Sequence, residues 1–335
     1  MAGISVAVLG AGSWGTTVAH LCAHNVPTVL WARDPAVVSS VNAHHVNDRY
    51  LSGYELHRDL SATADLAEAV SGADVVVMGV PSTAFADTLD AMEPHLRAWV
   101  PVISLTKGLD RATGARMTEL VEQRLPGRPV GALTGPNLAK EIMAGQPAAT
   151  VLAMTDVNVT AALHDAFATP SFRVFTNPDI VGCELGGALK NVVAIAAGIA
   201  SGLGGGANTT AAIITRGLAE MTRLGVALGG QPLTFAGLAG MGDLIATCTS
   251  PQSRNRHVGE ELGRGRSLQE ISAGLDQVAE GVKSTPIVLE LAARHGVAMP
   301  IARQVHAVLF EGATAHDAQT NLLSLPSNFE LDGLV

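Results

Sequence analysis

Gly10-Ala11-Gly12-Ser13-Trp14-Gly15 follows the apolar run Ile4-Ser5-Val6-Ala7-Val8-Leu9 and precedes a helical stretch from Thr16 to His24. The order is buried strand, glycine turn, helix, the arrangement that begins a dinucleotide-binding unit. Gly10 permits the tight turn, Gly12 lets the backbone approach a pyrophosphate, and Gly15 lets the helix pack closely on the strand. The helix N-terminus adds free N–H groups and a partial positive charge. A glycine turn alone is a weak signal in a chain with 36 glycines. Context strengthens it. A second strand, Pro27-Thr28-Val29-Leu30-Trp31, follows the first helix and leads into Ala32-Arg33-Asp34. An acidic side chain near this point accepts from a ribose 2′-OH, whereas arginine accommodates a 2′-phosphate. Arg33 comes first, which favours NADP(H). A solvated arginine at a strand end is the alternative, and use of both NADP(H) and NAD(H) lies between the two.

Working outward, strand patterns cover 4–9, 28–31, 74–80, 102–105, 130–134, 149–153 and 173–175. Helical patterns lie between them at 35–46, 64–71, 83–96, 116–124, 138–144 and 157–168. This alternation predicts a mostly parallel sheet covered on both faces. After Asn177-Pro178 the patterning is helical, with stretches at 182–201, 208–228, 237–249, 256–262, 268–273, 283–295 and 301–311. The expected fold class is α/β: an N-terminal doubly wound (Rossmann-type) domain, residues 1–179, followed by an all-α C-terminal domain, residues 180–335.

The chain has 335 residues, enough for two cores, and its 47% hydrophobic content excludes disorder. A net charge of −9 argues against general nucleic-acid binding. Cys22, Cys183 and Cys248 are too scattered for a disulfide framework or a zinc site, which fits a reducing cytosol. The chain enters a strand within four residues, leaving no signal peptide, so a cytoplasmic location is expected. Mean hydropathy is +0.30. The strongest candidate membrane span, 185–203, carries Lys190 and Asn191, and a mid-span lysine is costly in lipid. A buried helix of a soluble protein is the better reading.

Lys190 lies among Ala188, Leu189, Val192, Val193 and Ile195. A buried lysine needs a partner, and burial lowers its pKa towards the range useful for proton transfer. Snorkelling along its own stem is the structural alternative. Asp243, within Gly240-Met241-Gly242-Asp243-Leu244-Ile245, is either a partner for Lys190 or a helix N-cap. Ser253-Arg254-Asn255-Arg256 reads as a helix start suited to gripping phosphate, or as an exposed basic helix end. Thr106-Lys107-Gly108 and Gly135-Pro136-Asn137 each follow a strand, at the end where such sheets bind ligands.

Taken together, the glycine turn with Trp14, Thr106-Lys107-Gly108, Gly135-Pro136-Asn137, Leu189-Lys190-Asn191, Gly242-Asp243-Leu244, Ser253-Arg254-Asn255-Arg256 and Ala279-Glu280-Gly281-Val282 resemble bacterial NAD(P)-dependent glycerol-3-phosphate dehydrogenases. The resemblance runs nearly end to end. It implies hydride transfer between NAD(P)H and dihydroxyacetone phosphate, giving sn-glycerol 3-phosphate for phospholipid synthesis. It also implies a catalytic set of Lys190, Lys107, Asp243, Asn191 and Thr247, with Lys190 moving the proton. Implied cofactor contacts are Gly10, Gly12, Ser13, Trp14, Gly15, Arg33, Tyr50, Lys107, Ala139, Arg254, Val278 and Glu280. Implied substrate contacts are Lys107, Gly135, Asn137, Lys190, Asp243, Ser253, Arg254 and Asn255; Asn137 stands where many members carry serine or threonine. No metal is expected, and a homodimer is expected on analogy. The rival readings are a related reductase of keto acids and a dinucleotide sensor without catalysis.

Overall fold

The structure, a computed structural model, describes residues 3–273 and 279–325. It divides into two compact units. The first comprises the chain up to Thr106 together with Ala115–Ile180; the second comprises Lys107–Gly114 and the chain from Val181 onward. The excursion at Lys107–Gly114 is absent from a reading that cuts the chain once.

The first unit is built on eight strands: β1 Val6–Leu9, β2 Thr28–Trp31, β3 Ser61–Thr63, β4 Val75–Met78, β5 Val102–Ser104, β6 Val130–Thr134, β7 Ala148–Met154 and β8 Phe172–Asn177. Their spatial order is β3-β2-β1-β4-β5-β6-β7-β8. Every neighbouring pair is parallel except β6–β7, which is antiparallel. The central strands are apolar throughout because both faces are covered. Side chains alternate between two cores: Val6, Val8, Val75 and Val77 join one, and Ala7, Leu9, Val76 and Met78 join the other. The order reverses beside β1. β2 and β3 are added on one side of β1 and β4 on the other, although β1 and β4 run parallel, and ligands of open α/β sheets bind beyond the strand ends at such a point. β3, only three residues long, has no apolar run to announce it.

The described part of the second unit is helical, apart from turns and connections. Its longest helix, Ile180–Gly202, meets the length and hydropathy of a membrane span but is almost wholly buried in the protein. It is therefore the axis of a protein core, with Leu185, Leu189, Val192 and Ile195 packed inwards. Helix Arg254–Gly263 lies against it at close range. A Cβ at Gly198 would stand 2.1 Å from the Arg256 carbonyl oxygen, and one at Gly259 would stand 2.0 Å from that of Ile195. Only glycines at these spacings allow the two backbones to approach so far. The helices Pro232–Phe235 and Ala315–Leu323 add to the set expected from periodicity.

Candidate active site

In the sheet unit, the glycine turn follows β1. Gly10 has φ +113°, and a Cβ there would lie 2.8 Å from the Gly79 carbonyl carbon. A Cβ at Gly15 would lie 2.0 Å from the Gly10 oxygen, so that glycine serves helix–strand packing. Gly12 differs: nothing lies within 4 Å of a Cβ built on it. It is also the N-cap of helix Ser13–Ala23, with no side chain capping the first turn. Those N–H groups suit an anion. Ser13 Oγ donates to the Tyr50 carbonyl (2.9 Å), and Trp14 packs near Phe172, ring centroids 6.2 Å apart. Asn47, which the sequence reading missed, braces the turn from behind. Its Nδ2 donates to the Ala11 carbonyl at 2.9 Å and to Thr16 Oγ1 at 2.8 Å.

After β2, the Asp34 carboxylate accepts from the Ala36 N–H as an N-cap and pairs with Arg49 at 2.6 Å. Arg33 is exposed and makes no ion pair among the described residues. The available ribose-side group is thus cationic. Gly135, with φ +148°, and Asn137 follow β6, and Ala139 opens helix Ala139–Met143. These features fit a dinucleotide carrying a pyrophosphate and a 2′-phosphate.

In the helical unit, six residues converge. Lys107 Nζ donates to Asp243 Oδ2 at 2.6 Å, and Lys190 Nζ stands 3.3 Å from Oδ1 of the same carboxylate. Lys190 also donates to Thr247 Oγ1 at 2.7 Å and to Asn191 Oδ1 at 3.3 Å. Thr247 gives its own proton to the Asp243 carbonyl, one helical turn back (2.7 Å). Asn191 Nδ2 donates to the Lys107 carbonyl (3.1 Å), tying the excursion at 107–114 to the core helix. Asn255 Nδ2 donates to Asn191 Oδ1, and Asn255 Oδ1 accepts from the Gly281 N–H, both at 2.9 Å. Lys190 is 5% exposed and Asp243 is 2% exposed, which removes the snorkelling alternative. Asp243 begins helix Asp243–Thr249 directly after a π-helical turn, Leu238–Gly242. That turn aims the carboxylate at the lysines, and such turns recur at functional sites. Burial, together with the nearby Lys190 ammonium, lowers the Lys107 pKa to about 8 against the opposing pull of Asp243. One carboxylate therefore serves two ammonium groups.

The other residues named from the sequence sit around this core or elsewhere. Ser253 Oγ caps helix Arg254–Gly263 by accepting from the Arg256 N–H, while Arg254 at its first position is exposed. Glu280 opens helix Glu280–Arg294. Val278 lies outside the described residues.

Comparison with known proteins identifies the family. Residues 5–160 match the family model for the NAD-dependent glycerol-3-phosphate dehydrogenase N-terminus, and residues 179–320 match that for its C-terminus. This chain belongs to that family. A glycerol-3-phosphate dehydrogenase (NAD(P)+) of Sphingopyxis alaskensis is 61% identical over 320 residues, 96% of each chain. One from Mycobacterium avium is 52% identical over 329 residues, covering 98% of this chain and 96% of the relative. Among solved structures, glycerol-3-phosphate dehydrogenase from Coxiella burnetii superposes with a TM-score of 0.91 at 39% identity, covering 96% of this chain and 99% of that one. Within this family frame, Asn47 and Gly281 are the residues that sequence reasoning left out. Asn47 follows no recognisable pattern, and Gly281 acts through its backbone, whose N–H donates to Asn255 Oδ1 and whose carbonyl accepts from Thr285 Oγ1.

Proposed function

We propose that this chain catalyses the reversible NAD(P)H-dependent reduction of dihydroxyacetone phosphate to sn-glycerol 3-phosphate, with Lys190 as proton donor in reduction and acceptor in oxidation. The observation that carries this reading is the pair of lysines on one buried carboxylate. Asp243 balances one ammonium, leaving the cluster net positive. Such a cluster in a site of low dielectric stabilises the negative charge that grows on a carbonyl oxygen as it is reduced. Thr247 and Asn191 hold Lys190 Nζ so that its proton has a fixed origin, and Lys107 adds the second positive charge.

Gly10, Gly12, Ser13, Trp14 and Gly15 would hold the dinucleotide backbone, and Arg33 would favour the 2′-phosphate form. Tyr50, Ala139, Val278 and Glu280 complete that proposed set. The bound nicotinamide supplies the hydride. Arg254, with Ser253 and Asn255, is proposed to grip the substrate phosphate. That bond is remote from the reacting carbon and lets binding energy serve the chemical step. Gly135 and Asn137 belong to the proposed substrate set. The reading places the enzyme in the cytosol, supplying phospholipid synthesis, as a homodimer associating through its helical unit; a one-chain mass in sedimentation would remove the dimer.

Steady-state assays with NADPH test the reaction. Turnover of dihydroxyacetone phosphate that is lost in Lys190→Ala, with NADPH binding retained, is the expected result. Turnover of a keto acid but not of dihydroxyacetone phosphate would replace this reading with that of a keto-acid reductase.

A further inference from the structure

Two polar atoms at the end of β6 are buried without partners: Thr134 Oγ1 and Asn137 Oδ1. Their neighbour fixes what each can do. Thr150, fully buried, donates its one hydroxyl proton to the Thr134 carbonyl oxygen at 3.0 Å. It can then only accept from Asn137, whose Nδ2 lies 3.0 Å away. A flipped Asn137 amide would set oxygen against oxygen with no proton between them. Asn137 Oδ1 is therefore an obligate acceptor, and Thr134, whose carbonyl holds the same Thr150 hydroxyl, carries an unpaired hydroxyl that can donate. Leaving such groups unpaired costs about 1–3 kcal/mol each, so the pair is built for a ligand that offers one donor and one acceptor.

We propose that Thr134 and Asn137 read the carboxamide of the nicotinamide ring: the amide N–H2 donates to Asn137 Oδ1, and the amide carbonyl accepts from Thr134 Oγ1. The inference rests on the dehydrogenase reading above. It gives Asn137 a cofactor role where the family resemblance placed it with the substrate. Three observations favour the carboxamide. Thr134 ends β6 and Asn137 follows it, at the carboxyl end of the strand, where ligands of such sheets bind. Both belong to the unit that holds the glycine turn. The donor–acceptor pair matches the two ends of a primary amide. A residue in this role fixes the ring's orientation, so it acts as a positioning residue for hydride transfer.

The test is calorimetric titration of the full chain, without substrate, using NADP+, its 3-acetylpyridine analogue (a methyl group in place of the amide nitrogen) and its thionicotinamide analogue (sulfur in place of the carbonyl oxygen). Wild-type protein is expected to bind the acetylpyridine analogue about tenfold more weakly than NADP+, because Oδ1 then faces a methyl group. Asn137→Leu should abolish that preference. Thr134→Val, nearly isosteric and within β6, should abolish the preference for oxygen over sulfur, and it keeps the proposal testable if Asn137→Leu folds poorly. Wild-type protein that binds NADP+ and both analogues equally, or variants that keep the wild-type ratios, would overturn the assignment alone. Wild-type protein that binds none of the three would overturn the dehydrogenase reading, and the assignment with it.

Discussion

Asp243→Asn is the sharpest perturbation of the helical-unit cluster, because it removes a charge and leaves the shape almost unchanged. The carboxylate is 2% exposed and lies 2.6 Å from one ammonium and 3.3 Å from another. Without it, the folded protein has two courses. It can bury two unbalanced ammonium groups, or it can release a proton from one lysine. Deprotonating a lysine of solution pKa about 10.4 at pH 7 costs about 5 kcal/mol, at 1.36 kcal/mol per unit. That figure is the ceiling on the loss, because the molecule takes the cheaper course. It matches the roughly 3–5 kcal/mol typical of breaking a buried pair.

The pH dependence has a definite sign. A lysine neutral in the folded state and protonated in the unfolded state means that the unfolded chain binds the extra proton. Stability of the variant then rises with pH, by about 1.4 kcal/mol per unit between pH 7 and 9. Wild-type stability rises by the same mechanism but only after Lys107 begins to titrate near its lowered pKa of about 8, so its gain is about half as large. The gap should therefore narrow from at most about 5 kcal/mol at pH 7 to about 3 kcal/mol at pH 9. Urea denaturation of both proteins at the two pH values measures it. A loss below about 1 kcal/mol, or a gap that does not move with pH, would refute the view that Asp243 holds two charged lysines. Turnover should fall at least about 100-fold in the same variant.

Further outcomes follow from single contacts. Gly12→Ala should leave the unfolding midpoint nearly unchanged, since its Cβ meets nothing, yet weaken NADPH binding at least tenfold by keeping the pyrophosphate from the backbone. Gly15→Ala, whose Cβ would stand 2.0 Å from the Gly10 oxygen, should destabilise the sheet unit by about 1–3 kcal/mol or more in a denaturant titration. Equal effects of the two would mean that both glycines serve packing. The Glu220 carboxylate accepts from the Ile301 and Ala302 N–H groups, and burial raises its pKa to about 7 despite those bonds. Its folded pKa exceeds its unfolded one, so stability is fullest in acid and falls as pH rises from about 4.5 to 7, by up to about 3 kcal/mol. Glu220→Gln should flatten that slope in thermal melts recorded across this range. Arg33→Ala should weaken NADPH far more than NADH in direct titration; equal losses would make Arg33 a strand-end residue only.

What could be read from the sequence follows the range of the physics involved. β1, the glycine turn and the first helix are specified by neighbours within about twenty residues, and each glycine's task could be assigned before any contact was known. β3 could not be found this way, because its three residues are held by pairing with β2 and by the Asn42 amide, which donates to the Ala62 carbonyl and accepts from its N–H. The lysine cluster is intermediate. Lys190 is conspicuous as a charge in an apolar helix, but its partner Asp243 is equally readable as a helix cap, and only the folded geometry, with Gly242 at the cap and the Asp243 carboxylate between two lysines, decides between them. Lys107 shows the limit most clearly. Its position three residues beyond the end of β5 assigns it to the sheet, while the Asn191 bond to its carbonyl and the Asp243 bond to its ammonium assign it to the helical unit. A charge that has to be neutralised draws its segment of chain to the neutralising group. The excursion at 107–114 is thus explained by electrostatics acting across more than a hundred residues of sequence, and a substitution at Asp243 should loosen this segment before it loosens any strand.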